Sequence, residues 1–553
     1  MPQSSTFPHI VIVGAGISGL AAAKTLLPTS CHLTVLEARN RWGGRAYTDR
    51  SHGIPIDHGA SWIHGFGDTN PLTAVAKRAK LRTYTSNQTM VFTRRAGACG
   101  GPVLKAYEGE LYGKLFDMIA EARRYVNANR DAILVTESLQ DYIEEYLKNL
   151  ERRDPANWGP EKIADLRALT AYRQNEDAAE NAKQTLKYLD AETLFEGDQC
   201  ILADGYDQLI EEYAMDVVKS SSIKFGEVVK RIEYNETSVR IITTANKTYH
   251  ADAVIVTLPL GVLKTTIDPH AGSSPLITFH PQLPKPKLHA IKSLGVGTLD
   301  KAIITFREDG ICWPRDMDWI VTLPTERGGE AGRAMVYANG SENGGGETSI
   351  SGHSNDHTHD PSDPLTPHLI TFNRHMISYG SMLPLHPTTS TRPILVAYYS
   401  EQLARHIERI QPRTLLVPLF RAHLHQFLPT LPADAILSAE VTRWNTDPFS
   451  LGSYTHIPIG GASPADLDVW ARPVGAVGGE AREVEEGSEE GVLYWAGEHT
   501  IRYFASMHGA LLSGEREGRK IKSKFGLERT CETGRDERAW DKRHLRIDKT
   551  FTN

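Results

Sequence analysis

The sequence lacks long apolar runs and has few cysteines, and both absences narrow the kind of protein it can encode. No apolar stretch approaches the about 18 residues that a membrane-spanning helix needs. The cysteines are odd in number and widely scattered, which favours reduced thiols over a disulfide framework; they are Cys31, Cys99, Cys200, Cys312 and Cys531. No signal-peptide pattern precedes the first predicted strand, and the chain does not end in a peroxisomal tripeptide. We therefore expect a cytoplasmic protein without a membrane partner.

A strong charge of one sign is also missing. The formal net charge is −7 and charged residues make up 23% of the chain, a balance ordinary for globular proteins. The slight acidity argues against nucleic acid as a partner and mildly favours cationic ligands. Three histidines of one polar segment, His353, His357 and His359, lack the further ligands of a metal site, so we expect no metal. At 553 residues, two domains are expected rather than one; the oligomeric state is not indicated.

The most informative feature present is a glycine-rich turn between a predicted strand and a predicted helix. Strand-forming residues 10–13 lead into GxGxxG, and a helix rich in Ala and Leu follows. A second predicted strand, 32–36, ends in Glu37, whose carboxylate can accept hydrogen bonds from ribose hydroxyls. The turn lets backbone approach a pyrophosphate at the helix N-terminus. This pattern predicts a dinucleotide site that includes Gly14, Gly16, Ile17, Ser18 and Gly19.

A second glycine-containing loop follows Glu37 directly. It carries three arginines and a glycine pair, and Arg45 can make charge-assisted contacts to a pyrophosphate. A second loop near the phosphates suits a large, permanently held dinucleotide. The segment resembles the flavin-containing amine oxidase family, which includes monoamine oxidases, polyamine oxidases and lysine-specific histone demethylases. The resemblance implies that FAD is bound by Glu37, Arg39, Gly43, Gly44 and Arg45.

The resemblance also implies the fold class. We expect an α/β protein with a Rossmann-type FAD-binding domain, discontinuous in sequence, and an α+β substrate-binding domain. The FAD-binding domain would comprise residues 1–85, 199–280 and 441–525, and the substrate-binding domain 86–198, mostly helical, and 281–440. Segments 339–367 and 474–491, rich in Gly and polar residues, are predicted to be loop insertions. The charged tail 526–553 is predicted to be disordered.

Further blocks of the family pattern extend the predicted flavin site. The resemblance places residues 60–62 along the flavin ring, Val229 at the adenine side and Trp444 beside the flavin, although core packing also explains Val229 and Trp444. Glu498 would accept hydrogen bonds from the ribityl chain, and the helix near Met507 would direct its positive end at the flavin C2 carbonyl. These blocks contribute Gly59, Ala60, Ser61, Trp62, Val229, Trp444, Gly497, Glu498 and Met507. Ser453 stands where monoamine oxidases have the cysteine that bonds flavin, so the resemblance implies non-covalent FAD.

Four residues are predicted to act on the substrate side. Lys301 enters an apolar strand, where burying an ammonium is costly, and the resemblance implies that it holds a water at flavin N5 and assists the reaction with oxygen. His64 would lie at the mouth of the substrate tunnel, although a structural role fits it equally. Tyr454 would form one wall of the amine site. Ser506 would occupy the second wall, where monoamine oxidases have tyrosine, and would widen the cavity.

These observations lead to one functional prediction and several alternatives. We expect a polyamine oxidase that transfers hydride from the amine to flavin N5 and reduces O2 to H2O2. Glu192 and Glu196 could bind distal ammonium groups, although surface carboxylates are the simpler interpretation of either. An L-amino-acid oxidase would need an arginine for the carboxylate, for which Arg405 and Arg443 are the candidates. Another amine oxidase, a histone-demethylase-like enzyme and a non-catalytic FAD protein are the remaining alternatives.

Overall fold

The structure is a computed structural model that describes residues 7–85, 90–93, 102–268, 274–324, 363–387, 393–484 and 491–527. The α-helices are α1 (Ile17–Leu26), α2 (Pro71–Arg78), α3 (Pro102–Asn129), α4 (Leu139–Arg153), α5 (Pro160–Leu169), α6 (Ala171–Asp177), α7 (Tyr206–Lys219), α8 (Leu260–Lys264), α9 (Lys285–Ser293), α10 (Thr366–Asn373), α11 (Glu401–Arg409), α12 (Leu416–His425), α13 (Pro464–Ala471) and α14 (Met507–Lys524). Short 3₁₀ turns lie at Glu308–Gly310, Arg413–Leu415 and Glu498–Thr500.

The strands, in chain order, are β1 (His9–Val13), β2 (His32–Leu36), β3 (Thr48–Asp49), β4 (Ile56–Asp57), β5 (Trp62–Phe66), β6 (Thr83–Thr85), β7 (Met90–Thr93), β8 (Asp198–Leu202), β9 (Ile223–Lys224), β10 (Val229–Tyr234), β11 (Val239–Thr243), β12 (Thr248–Ala251), β13 (Ala253–Val256), β14 (Thr278–His280), β15 (Gly295–Val296), β16 (Leu299–Phe306), β17 (Trp319–Thr322), β18 (Ile377–Ser381), β19 (Ile394–Ser400), β20 (Ile436–Val441), β21 (Thr455–His456), β22 (Val474–Val477), β23 (Glu480–Glu483) and β24 (Leu493–Trp495).

A seven-stranded sheet places the glycine-rich turn at the carboxyl ends of its central strands. Its order is β23-β22-β24-β13-β1-β2-β9, and β1 pairs in parallel with β2 and β13. Both faces of β1 are buried, which explains its continuous apolar sequence. Helices α1 and α14 pack against each other beside the sheet, so distant parts of the chain meet at the turn. The predicted α/β class is confirmed.

The prediction of a loop insertion over 474–491 is wrong for its first part. Strands β22 and β23 pair as an antiparallel hairpin, and β22 joins the edge of the main sheet through Val474 and Leu493. Gly478 and Gly479 form the reversal with φ of 61° and 85°, so the glycines that suggested a loop make a tight turn. Residues 485–490 lie outside the described residues. Of the other predicted insertion, 339–367, residues 339–362 also lie outside the described residues. The last two residues of that segment are the first two of α10.

Two further sheets and a helical group complete the described fold. The six-stranded sheet β20-β16-β19-β18-β17-β7 packs against α10, α11 and α12 around a core of aromatic and aliphatic side chains. The four-stranded sheet β12-β11-β10-β14 contains the predicted hairpin, with β10 and β11 antiparallel. Helices α3 to α6 form the predicted helical stretch. Among the described residues, we found no helix whose length and apolarity would allow it to cross a membrane.

Candidate active site

One large cavity gathers nearly all the predicted site residues. It has a volume of about 1540 Å³ and reaches from the glycine-rich turn, past the start of β16, to α3 and α6. The residues predicted from the family pattern to bind cofactor or substrate all line this cavity except Gly19. A Cβ on Gly19 would lie 1.9 Å from the Gly14 carbonyl oxygen, so this glycine lets α1 pack against the turn. The cavity is larger than common ligand pockets and has room for a dinucleotide and a substrate.

The two glycine loops form one backbone cradle. The Gly43 N–H donates to the Ala15 carbonyl oxygen at 2.8 Å, and a Cβ on Gly44 would lie 3.3 Å from the Cα of Gly16. Gly14 adopts a φ of +111°, which places it in the region that favours glycine. The backbone at the N-terminus of α1 is therefore open to the cavity and suited to a pyrophosphate.

Glu37 ends β2 at the edge of this cradle. Its carboxylate accepts the Ala15 N–H at 2.7 Å and the Arg39 N–H at 2.8 Å, and it is buried. Arg39 also lines the cavity, but its guanidinium donates to both carboxylate oxygens of Asp447. The position of Glu37 suits ribose hydroxyls, while Arg39 fixes the loop through a bidentate ion pair.

Arg45 joins the early loop to the late motif near Glu498. Its Nη1 donates to Glu498 Oε1 at 2.9 Å and to the Ser453 carbonyl oxygen at 2.7 Å. Burial alone would raise the pKa of Glu498, but the Arg45 guanidinium holds that pKa below its ordinary value. The ion pair therefore keeps one anionic and one cationic group on the wall of the cavity. The hydroxyl of Ser453 bonds to the backbone of Leu299.

Lys301 is buried at the start of β16 and faces the segment that follows β4. Its Nζ donates to the carbonyl oxygens of Asp57 and Gly59 at 2.7 Å and to Ser61 Oγ at 3.1 Å. Burial lowers the pKa of Lys301 to about 8, although Asp57 opposes that shift. Burial also raises the pKa of Asp57 to about 6. The ammonium thus holds the segment expected along the flavin ring and can carry or release a proton near neutral pH.

The N-terminus of α14 is directed at the same region. Ser506 is its N-cap, and the side-chain oxygen accepts the Gly509 N–H at 3.0 Å while the hydroxyl donates to the Tyr503 carbonyl. Ser506 lines the cavity, as does Met507. Because the hydroxyl already makes these two bonds, the local role of Ser506 is to begin the helix.

Trp444 and His64 lie at different depths of the cavity. Trp444 is buried, and its Nε1 donates to the His58 carbonyl at 3.0 Å, so it packs in the core and lines the cavity. His64 is exposed, and its Nδ1 lies 2.6 Å from Gln199 Oε1. Val229 of β10 also packs in the core and lines the cavity.

A cluster of charged groups surrounds the far side of Tyr454; we call it the distal cluster, and it comprises Arg123, Arg173, Glu176, Asp177 and Glu192. The Tyr454 hydroxyl donates to the Glu176 carbonyl at 2.8 Å, which fixes the ring beside the cluster. The Arg173 Nε lies 2.8 Å from Asp177 Oδ2 and its Nη1 lies 3.2 Å from Glu176 Oε2. Burial raises the pKa of Glu192 to about 7 and that of Asp177 to about 6.

Sequence reasoning missed most of the distal cluster. Glu192 was a predicted candidate and lines the cavity, whereas Glu196 is exposed and is not among the described lining residues. Arg405 and Arg443, the candidates for a carboxylate partner, are not among those lining residues either; Arg123 and Arg173 are. The i,i+4 pair of Arg173 and Asp177 was a visible signal, but this spacing also occurs on solvated helices.

The chemistry of the lining residues fits FAD. The double glycine cradle, the buried Glu37 carboxylate, the Arg45–Glu498 pair and the N-terminus of α14 offer groups for pyrophosphate, ribose, ribityl chain and flavin ring respectively. Fold and site together define a dinucleotide-dependent oxidoreductase of the α/β class.

Comparisons with known proteins identify the family. The model of the flavin-containing amine oxidoreductase family matches residues 17–522, so the chain belongs to this family, and its cofactor is FAD. Probable polyamine oxidase 4 of Arabidopsis thaliana is 29% identical over 509 residues, which cover 89% of this chain and 86% of that protein. Lysine-specific histone demethylase 1 homolog 2 of Oryza sativa subsp. japonica is 28% identical over 522 residues, which cover 93% of this chain and 56% of that protein.

A comparison of structures agrees with this placement. A putrescine oxidase double mutant with redesigned cofactor binding superposes with a TM-score of 0.61 over 93% of this chain and 99% of that chain, at 16% identity. Identity at this level shows the shared fold alone. The chain spans little more than half the length of the rice demethylase homologue, and the rest of that protein lies outside the match.

Proposed function

We propose that the protein is an FAD-dependent amine oxidase that acts on polyamine-type substrates and uses O2 as electron acceptor. The observation that carries the proposal is the juxtaposition, in one cavity, of the flavin-type cradle, Tyr454 and the carboxyl groups of the distal cluster. A carboxyl group beyond the aromatic wall is suited to an ammonium group distal to the reacting nitrogen. The similarity to a polyamine oxidase over most of both chains supports the same class.

Each residue has a distinct part in this proposal. The Tyr454 ring forms an apolar wall that favours an approaching amine over its face. Glu192 and Asp177 hold the distal ammonium, which fixes the carbon next to the reacting nitrogen in place. FAD, held by the glycine cradle and the Arg45–Glu498 pair, would supply the hydride acceptor for that carbon and the electrons that reduce O2. Lys301, whose three donors already bond to the protein, has its pKa lowered to about 8 and can exchange a proton beside the segment of residues 59–61.

The residues also support non-covalent attachment of FAD. Ser453 has no thiol, and its hydroxyl bonds to the backbone of Leu299 at 2.8 and 2.9 Å. Acid precipitation should therefore release all the flavin into the supernatant, and yellow colour retained in the pellet would contradict this attachment.

Anaerobic stopped-flow absorbance tests the function. Spermine, spermidine, benzylamine, L-leucine and a methylated-lysine peptide are mixed separately with the oxidised enzyme. Rapid bleaching by the polyamines alone supports the proposal. Fast bleaching by the peptide would favour a demethylase-like enzyme, bleaching by L-leucine an amino-acid oxidase, and bleaching by none a non-catalytic flavoprotein.

Two glutamates provide a matched pair of variants. Glu192 lines the cavity, whereas Glu196 is exposed four residues later. We expect Glu192→Gln to lower kcat/KM for spermidine about 10-fold, the value of one charge-assisted contact. Glu196→Gln should leave it unchanged. An equal effect of both variants would contradict a specific role for Glu192.

A further inference from the structure

The distal cluster contains a guanidinium, that of Arg123, which the described residues do not satisfy. Arg123 of α3 lines the cavity and is half-buried, and no other described residue hydrogen-bonds or ion-pairs with it. Its Nε is buried without a hydrogen-bond partner. Burial and the charge on Arg173 lower the pKa of Arg123 from its ordinary value, while the surrounding carboxyl groups oppose this shift. A cation in this setting is costly unless a further group pairs with it.

The carboxyl groups nearby are engaged by the other arginine. The Arg173 guanidinium forms ion pairs with Asp177 at 2.8 Å and with Glu176 at 3.2 Å, so these two carboxylates are oriented toward Arg173. Glu192 is the remaining acid, and its raised pKa leaves it partly protonated near neutral pH. The cluster therefore presents two different chemistries to a ligand. One is a set of carboxyl oxygens for an ammonium, and the other is a planar guanidinium fork for an oxygen acceptor.

A free polyamine satisfies only the first of these chemistries. Each of its nitrogens beyond the reacting one is an ammonium at neutral pH, and an ammonium beside Arg123 adds repulsion between like charges. A substrate with an oxygen on its distal end avoids this repulsion and fills the unpaired donor. Either an amide carbonyl or a carboxylate has the required acceptor oxygen, and a carboxylate can bind a guanidinium bidentately.

From this geometry we infer that Arg123 is a specificity-determining residue, which binds an acceptor oxygen on the distal end of the amine substrate while the carboxyl groups of the distal cluster bind an ammonium. The inference rests on the proposed amine oxidase function and deepens it. It assigns the substrate class as amines that carry both an ammonium and a carbonyl or carboxylate oxygen. Arg123 acts on binding, so its effect belongs to KM and to equilibrium affinity rather than to the chemical step.

A series of three nearly matched amines tests the assignment. Spermidine, N1-acetylspermidine and N-(4-aminobutyl)-β-alanine share the 4-aminobutyl group and the secondary amine, and differ in carrying an ammonium, an amide or a carboxylate at the other end. Binding is measured by isothermal titration calorimetry with the anaerobic holoenzyme, and kcat and KM by oxygen consumption. The wild-type enzyme should bind one or both of the oxygen-bearing amines more tightly than spermidine, and the tighter of the two identifies the acceptor.

Variants on α3 separate recognition from general damage. Arg123→Gln should weaken binding of the favoured oxygen-bearing amine about 10-fold or more through KM, and should leave spermidine unchanged or improved. Arg124→Gln, at the next and exposed position of the same helix, should change none of the three. Thermal unfolding of the apo forms checks that both variants fold.

The possible failures are distinguishable. If spermidine binds most tightly to the wild type, or if Arg123→Gln weakens all three ligands equally, the role of Arg123 is overturned while the amine oxidase proposal stands. If no amine reduces the flavin, the proposed function fails, and calorimetry still decides whether Arg123 recognises an oxygen-bearing ligand.

Discussion

Lys301 shows how one residue can serve both stability and chemistry. Its ammonium donates to three oxygens of the segment of residues 57–61, so Lys301→Met leaves those acceptors without their donor. We expect a loss of about 2 kcal/mol in the free energy of unfolding, and reoxidation of the reduced enzyme by O2 about 100-fold slower through loss of the proton-exchanging group. Chemical denaturation and stopped-flow mixing with O2 measure the two effects.

Lys287 is the matched control for that variant. It is also buried, and its Nζ donates to three backbone carbonyls, but it is not among the described residues that line the cavity. Lys287→Met should therefore lose comparable stability and reoxidise at the wild-type rate. Normal reoxidation in Lys301→Met would refute its assigned chemical role and leave only a structural one.

His423 gives a residue-level prediction on pH. Burial lowers the pKa of its imidazole to about 3, and its Nδ1 lies 2.7 Å from the Tyr379 hydroxyl. Because the folded-state pKa lies below the unfolded value of about 6.5, the contribution of His423 to stability is present above that value. It is lost as the pH falls toward about 3. Between about pH 6 and 4 the free energy of unfolding should fall by about 1.4 kcal/mol per pH unit from this group.

The slope, rather than the absolute stability, is the quantity to compare. His423→Asn keeps a polar group near Tyr379 but does not titrate, so urea unfolding across this pH range should show a slope reduced by that amount. His425→Asn, two residues later and exposed, should leave the slope unchanged. An unchanged slope in His423→Asn would mean that the imidazole is not kept neutral by burial.

At the scale of elements, the packing of α1 against α14 positions the cofactor site. A Cβ on Gly514 of α14 would lie 2.0 Å from the Ser18 carbonyl oxygen of α1, which is backbone and cannot rotate away. Alanine favours helices by about 1 kcal/mol over glycine, but the clash acts in the opposite direction and requires the helices to separate. We expect Gly514→Ala to lower the free energy of unfolding by about 2 kcal/mol and to weaken FAD retention.

A glycine-to-alanine substitution on α3 should change the free energy of unfolding in the opposite direction. A Cβ on Gly113 meets no heavy atom within 4 Å, so Gly113→Ala gains helix propensity without a clash. It should raise the free energy of unfolding by roughly 0.5–1 kcal/mol. Denaturant titration of both variants measures the difference, and a stabilised Gly514→Ala variant would show that the two helices tolerate separation.

The elements also explain which parts of the site could be predicted from sequence. The predicted flavin side consists of short local motifs, such as Gly14 to Ser18, in which sequence neighbours are also neighbours in the site. The distal cluster instead joins Arg123 of α3 with residues of α6 and the chain after it. The periodicity of a charged helix does not determine whether a given face meets solvent or a cavity, so Arg123 and Arg173 were not found. The Gly-rich hairpin of β22 and β23 was missed because composition alone does not separate a turn from a loop.

At the scale of the whole molecule, the cofactor joins parts of the chain that are far apart in sequence. Gly16, Val229, Lys301 and Glu498 line one cavity, so FAD binds the folded chain and has no comparable site in the unfolded one. The free energy of unfolding of the deflavinated protein should therefore rise by about 1.4 kcal/mol for each tenfold increase in FAD above its Kd. Thermal unfolding over a range of FAD concentrations measures this dependence.

Substitutions of two arginines in the loop after Glu37 test whether the rise in stability with FAD concentration comes from the assigned site. Arg45 pairs with Glu498 inside the cavity, whereas the Arg41 guanidinium lies over the Tyr47 ring, 4.5 Å from its centroid. Arg45→Ala leaves the Glu498 carboxylate without its cation and would remove the predicted contact to the pyrophosphate. The rise in stability should therefore begin at FAD concentrations at least about 10-fold higher. Arg41→Ala should alter the apo stability at most and leave the FAD concentration of the rise unchanged. If both variants shift the FAD concentration of the rise equally, loop folding, rather than the Arg45–Glu498 pair, controls FAD affinity.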